Sequence, residues 1–219
     1  MTAGVIGRMA PELERFLHRH ILGAAPHPDH WPAPADIDRL PVPPGRDISD
    51  ETGASWVLAS EHMRAWHHRR TSIGAHGYRF AHNGEFDCGW RLADVAARFV
   101  LERLDTTIDM ITLLPPPPIY RSRFVLPWVT QRLAERLRVP FVPNLFDAAA
   151  PYAEHPDIAR HLAIPTTSLF SLSRETDIQL SGVSVLLVDW MRYTGQTLRA
   201  LAQLLKRKGA TVIRLTWFD

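Results

Sequence analysis

The chain alternates short, almost uninterrupted apolar runs with longer stretches in which apolar residues return every three or four positions. The runs Ile108 to Leu114 and Val183 to Val188 have the near-continuous apolar character of parallel strands covered on both faces. Val139 to Leu145 reads as a neighbouring strand. Helical spacing is clear over Arg91 to Leu104, where Leu92, Val95, Ala96, Phe99 and Val100 share a face, and again through Leu126, Val129, Leu133 and Leu137, with Pro127 acceptable in a first turn. A further helix is predicted through Leu198, Leu201, Leu204 and Leu205, its last turn loaded with Lys206, Arg207 and Lys208 and stopped by Gly209. Strands alternating with helices predict an α/β fold, an open and mainly parallel sheet flanked by helices, with ligands at the carboxyl ends of the strands.

The first third follows other rules. Glu12 to Leu22 predicts a short helix with Leu13, Phe16, Leu17 and Ile21 along one face, and a proline-dense connector then runs from Ala24 to Pro44. Ser49 or Asp50 is expected to cap a second helix carried by Trp56, Ala59, Met63 and Trp66. Residues 1–75 are therefore expected to be an N-terminal helical, Pro-rich extension to a domain spanning 76–219.

Composition narrows the class. At 46% apolar and 22% charged, the chain can build a core without metals or bridges. Its single cysteine, Cys88, rules out an intramolecular disulfide and suits a cytoplasmic protein. No apolar window is long enough for a membrane span, and the amino end lacks the pattern of a signal peptide. A net charge of +2 and a pI near 9.0 leave nucleic-acid binding conceivable but not favoured, because no nucleic-acid-binding motif accompanies them. Arg199, Lys206 and Arg207 are assigned to a solvated helix face.

The chemistry concentrates after the two core strands. Asp189 closes the run Val183 to Val188, and Thr194, Gly195 and Thr197 follow, offering two hydroxyls and a glycine that lets backbone N–H groups close around an anion at a helix N-terminus. The upstream strand runs into Pro115-Pro116-Pro117-Pro118, which fixes a stiff extended loop whose Arg121 and Arg123 supply cations. His62, His67, His68, His76 and His82 lie near Cys88 but match no zinc-ligand spacing, so no protein-held metal is expected. Asp109 falls at the strand end remote from ligands. The composition of residues 147–165 would suit a flexible lid.

The segment Val185-Leu186-Leu187-Val188-Asp189, followed by Thr194-Gly195-Gln196-Thr197, resembles the signature of the type I phosphoribosyltransferases. The order of the surrounding elements is similar to ComF-type competence proteins and to the related domain of RecQ-type helicases. The resemblance covers roughly residues 76–219. It implies that Asp189 holds ribose hydroxyls, that Tyr193, Thr194, Gly195, Gln196 and Thr197 bind a 5-phosphate, that Arg121 and Arg123 bind pyrophosphate, and that Mg²⁺ arrives on the pyrophosphate. It also suggests that residues 1–75 form a hood over the acceptor base, or else a packing or oligomerisation arm. One position departs: Trp190 stands where the family has a second acid, and either stacks on a ribose or base or plugs the pocket. The implied ligand is phosphoribosyl pyrophosphate or a nucleoside 5-monophosphate. Three roles stay open: a phosphoribosyltransferase, a non-catalytic nucleotide-sensing module in DNA uptake or repair with a protein partner or as a homo-oligomer, and a scaffold with a vestigial site.

Overall fold

A computed structural model describes residues 42–59, 72–115, 126–149, 168–174, 178–192 and 194–218. The helix expected near the amino end, most of the connector, His62, His67 and His68, the loop with Arg121 and Arg123, Tyr193 and most of the suggested lid lie outside the described residues. In chain order the elements are β1 (Arg46–Asp47), β2 (Ala54–Ala59), α1 (Ser72–Asn83), α2 (Phe86–Arg103), β3 (Met110–Leu113), α3 (Leu126–Leu137), β4 (Phe146–Ala148), β5 (Phe170–Leu172), β6 (Ser184–Met191), α4 (Gln196–Arg207) and β7 (Thr211–Phe218).

Five strands form one sheet in the order β1-β2-β7-β6-β3. All neighbours pair in parallel except β1 with β2. The predicted α/β class, an open and mainly parallel sheet flanked by helices, is what the chain adopts. On one face Leu186, Val188, Ile213 and Leu215 pack with Phe80 of α1, Leu92 and Phe99 of α2, and Leu133 of α3. On the other, Val185, Leu187 and Val212 pack with Leu198, Leu201 and Leu205 of α4, and with the separate β4–β5 pair through Phe146 and Phe170. Burial on both faces explains why β6 reads as a continuous apolar run. A bidentate ion pair ties α2 to α3: Arg136 donates to Asp94 at 2.5 and 3.0 Å. Asp109 lies at the amino end of the ladder, where it accepts a hydrogen bond from Ser184 N at 2.8 Å, in keeping with a structural role.

Two expectations are corrected. The described part of the second expected helix is a strand: Trp56 to Ala59 belongs to β2, which pairs with β7 from Ala54↔Ile213 to Ala59↔Phe218, so this part of the expected extension lies within the sheet, while Met63 and Trp66 lie outside the described residues. A short apolar run carries helix and strand periodicity equally well, and the open edge of β7 decides between them. Asp50 accordingly caps no helix but closes a turn with Gly53. The strand expected at Val139 to Leu145 reduces to one bridge, Ile111↔Phe141, because Pro140 and Pro143 have no N–H to donate to a ladder.

Gly53 has φ +123°, and a Cβ there would stand 2.7 Å from the backbone O of Val212. Gly53→Ala is expected to cost at least the roughly 1–3 kcal/mol of a strained backbone position, read as a lower midpoint in urea unfolding. An unchanged midpoint would show that the turn relaxes freely.

Candidate functional site

Strand alternation divides the end of β6 between two environments. Leu186, Val188 and Trp190 face the α1–α3 side, whereas Val185 and Leu187 face α4. Asp189 therefore projects to the α4 side. It is 6% exposed, and its Oδ1 accepts a hydrogen bond from Trp190 N at 2.7 Å. Its register partner on β7 is Thr216, whose buried hydroxyl has no hydrogen-bond partner among the described residues.

Beyond β6 the chain is held by Arg192 N donating to Phe218 O at 2.8 Å, and it then reaches Thr194 and Gly195. Gly195 is the N-cap of α4 in the left-handed conformation, φ 71° and ψ 2°, and contributes no side-chain cap. The only described cap is long, from Gln196 N to Thr194 Oγ1 at 3.4 Å. The first N–H groups of a helix have no acceptor within it and carry the positive end of its dipole. Thr194, Gly195, Gln196 and Thr197 are all exposed or half-buried there, so an anion can reach them. On the other side of β6, Leu113 pairs with Val188, and Leu114 N donates to Val188 O at 3.2 Å. The loop that begins at Pro115 thus departs next to Asp189. Its Arg121 and Arg123, like Tyr193, fall outside the described residues.

Trp190 is 2% exposed and belongs to the core. Its ring lies 5.2 Å from Phe218, 5.9 Å from Phe80 and 6.0 Å from Trp217, centroid to centroid. Of the two uses weighed for this residue, packing is the one its surroundings provide; the indole is not a surface ready to stack on a sugar or base. Cys88 is also a core residue, and burial pushes its thiol up to about 12, far from a nucleophile's range. Among the described residues, no three His, Cys, Asp or Glu side chains gather as a metal site. No helix among them is long and apolar enough to cross a membrane.

A second cluster lies beside the loop. Arg214, in the middle of β7 and 2% exposed, donates through Nη2 to Asp50 Oδ1 at 2.7 Å and to Gly53 O at 2.8 Å, and through Nη1 to Asp50 Oδ2 at 3.3 Å. Arg199, from the first turn of α4, donates through Nε to the same carboxylate at 2.9 Å. Arg199 is 42% exposed, in keeping with the solvated face expected of it, and adds this ion pair; the exposed Lys206 reaches Glu51 O at 3.2 Å. Burial alone would raise the Asp50 pKa, but hydrogen bonds from Arg214, Thr52 and Arg199 outweigh it and hold the carboxyl well below the usual range. Sequence reasoning missed this cluster, although a signal was there. Arg214 is the one charge inside Thr211 to Phe218, and a charge buried in an apolar strand requires a partner.

The sequence matches no protein-family profile and no curated protein. Among solved structures, the fold is similar to adenine phosphoribosyltransferase from Saccharomyces cerevisiae, at 20% identity over 60% of this chain and 68% of that one, with a TM-score of 0.41. It is similar to adenine phosphoribosyltransferase from Leishmania donovani at 15% identity, over 78% and 72% of the two chains, TM-score 0.46. Hypoxanthine phosphoribosyltransferase from Staphylococcus aureus matches at 12% identity, over 58% and 61%, TM-score 0.37. At such values, chemistry has to be argued from the residues themselves.

Trp190→Ala is expected to cost about 3–5 kcal/mol. Trp190→Asp is expected to cost more by burying a charge among aromatic rings; equilibrium unfolding of both variants checks the order. Asp50 has a lowered folded-state pKa, so its contribution is complete above its unfolded value near 3.9 and is lost as pH falls through the folded value. Asp50→Asn should therefore be less stable than wild type at pH 7, and the gap should narrow as unfolding is followed down below about pH 4.

Proposed function

We propose that this protein binds phosphoribosyl pyrophosphate or a nucleoside 5-monophosphate at the carboxyl end of β6, in the manner of a type I phosphoribosyltransferase. The observation that carries this reading is the junction of β6 and α4: Asp189 on the α4 face, then Thr194 to Thr197 around a left-handed Gly195 at a helix N-terminus with only a long cap from Thr194. Phosphate on the loop and ribose hydroxyls on Asp189 would leave C1 towards the loop that starts at Pro115, where Arg121 and Arg123 would receive pyrophosphate.

Transfer breaks the bond from C1 to pyrophosphate as a nitrogen nucleophile attacks, so positive charge builds on the ribose while negative charge departs. Rigid placement of the phosphate and hydroxyls lowers that barrier. The donor set fits a Mg²⁺ carried chiefly by ligand oxygens and water, since the end of β6 offers one carboxylate and an indole in place of a second. Bound Mg²⁺ would offset charge on the leaving group.

The second reading, a nucleotide-sensing module in DNA uptake or repair, is favoured by one observation. Trp190 takes the place of the second acid of the resembled signature and is built into the core, which supports binding without turnover. Under either reading the protein works in the cytoplasm.

Calorimetric titration of the full chain with phosphoribosyl pyrophosphate and Mg²⁺, and separately with a nucleoside 5-monophosphate, tests the site. Micromolar binding is expected (about −8 kcal/mol), weakened at least about tenfold by Asp189→Ala or Thr194→Ala, since one hydrogen bond to a charged group is worth about 1.5–3 kcal/mol. Absence of binding to wild type would retire the reading. Release of pyrophosphate with an acceptor base would separate the enzyme from the sensor.

A further inference from the structure

Arg192, Arg199 and Arg214 surround a narrow cleft together with Asp50, Ser55 and Gly195. We propose that the three arginines form an anion subsite for a phosphate-bearing ligand on the β1–β2 side of the 194–197 loop, meeting that loop at Gly195. Their charge balance favours a dianion: three guanidinium groups meet one carboxylate, which leaves two positive charges over. Arg214 forms the floor. Its side chain is 3% exposed, its Nη atoms are engaged by Asp50 and Gly53, and its buried Nε has no hydrogen-bond partner among the described residues.

Arg199 forms one wall, 42% exposed and tied to Asp50 through Nε. Arg192 forms the other, lying so close over Gly195 that a Cβ there would stand 2.8 Å from its Nε. Burial, then the like charges of Arg199, Arg46 and Arg214, lower the Arg192 pKa, with Asp50 opposing. A cation held among cations is stabilised by an incoming anion. The cleft itself encloses about 10 Å³, room for one water. A phosphate would therefore sit at its mouth, bridged by the planar forks of Arg192 and Arg199 with Arg214 behind them.

This subsite does not require the ribose reading, and the two fail separately. Titration with inorganic phosphate at low ionic strength in a Thr194→Ala background removes the loop's Thr194 hydroxyl from the measurement. Phosphate is expected to bind that protein, and adding Arg192→Gln or Arg199→Gln is expected to weaken binding about tenfold or more, with affinity falling as salt rises. Arg199→Lys, which keeps the charge but loses the fork, should fall between. Circular dichroism and the thermal midpoint establish that each variant is folded. Phosphate affinity unchanged by the arginine substitutions, or absent once Thr194 is replaced, would overturn the proposal; the second result would leave the loop as the anion's place and the proposed function intact.

Discussion

The parallel ladder between β6 and β7 is the constraint on which the rest depends. It runs in unbroken direction from Ser184↔Thr211 to Met191↔Phe218, and its register settles three things together. It sets α4 on one face as the crossover between the two strands. It brings Asp189 beside Thr216 at the carboxyl end. Through the two-residue period of a strand, it also sends Asp189 and Trp190 to opposite faces. A shift of one residue would exchange them, exposing an indole to the α4 side and burying a carboxylate among Phe80, Trp217 and Phe218.

The same ladder accounts for the charge cluster. Arg214 points to the α4 face because Val212 does, two residues earlier. A guanidinium inside the sheet is tolerable only with a partner. Asp50 supplies it from a turn that comes 164 residues earlier in the chain. Gly53 lets that turn approach β7 closely enough to offer its carbonyl as a further acceptor. The segment from Arg46 to Ala59 is thus fastened to the sheet twice, by β2 pairing and by the Asp50 pairs. Both fastenings lie beside the 194–197 loop.

Much of the fold is legible in the chain. The apolar runs at β3 and β6 announce buried strands because both of their faces are covered, and α2, α3 and α4 show clear one-sided spacing because each has one face on the sheet. Asp189 and the Thr194–Thr197 loop are equally legible, since a strand, a glycine-bearing turn and a helix start follow one another locally. β2 is not. Trp56 to Ala59 satisfies two periodicities over four residues, and only the neighbouring edge of β7 chooses. The role of Asp50 is hidden for the same kind of reason: its aspartate suits a helix cap or a turn, and its partners Arg199 and Arg214 are remote in sequence.

By itself, then, the sequence determined the elements whose causes are local: amphipathic helices, buried strands, and a glycine-bearing loop at a helix start. Tertiary structure alone decided which side of the sheet each end-of-strand residue occupies, which carboxylate answers the buried Arg214, and that Trp190 belongs to the core. Those outcomes depend on register and on pairings between distant segments. Neither leaves a mark in the spacing of neighbouring residues.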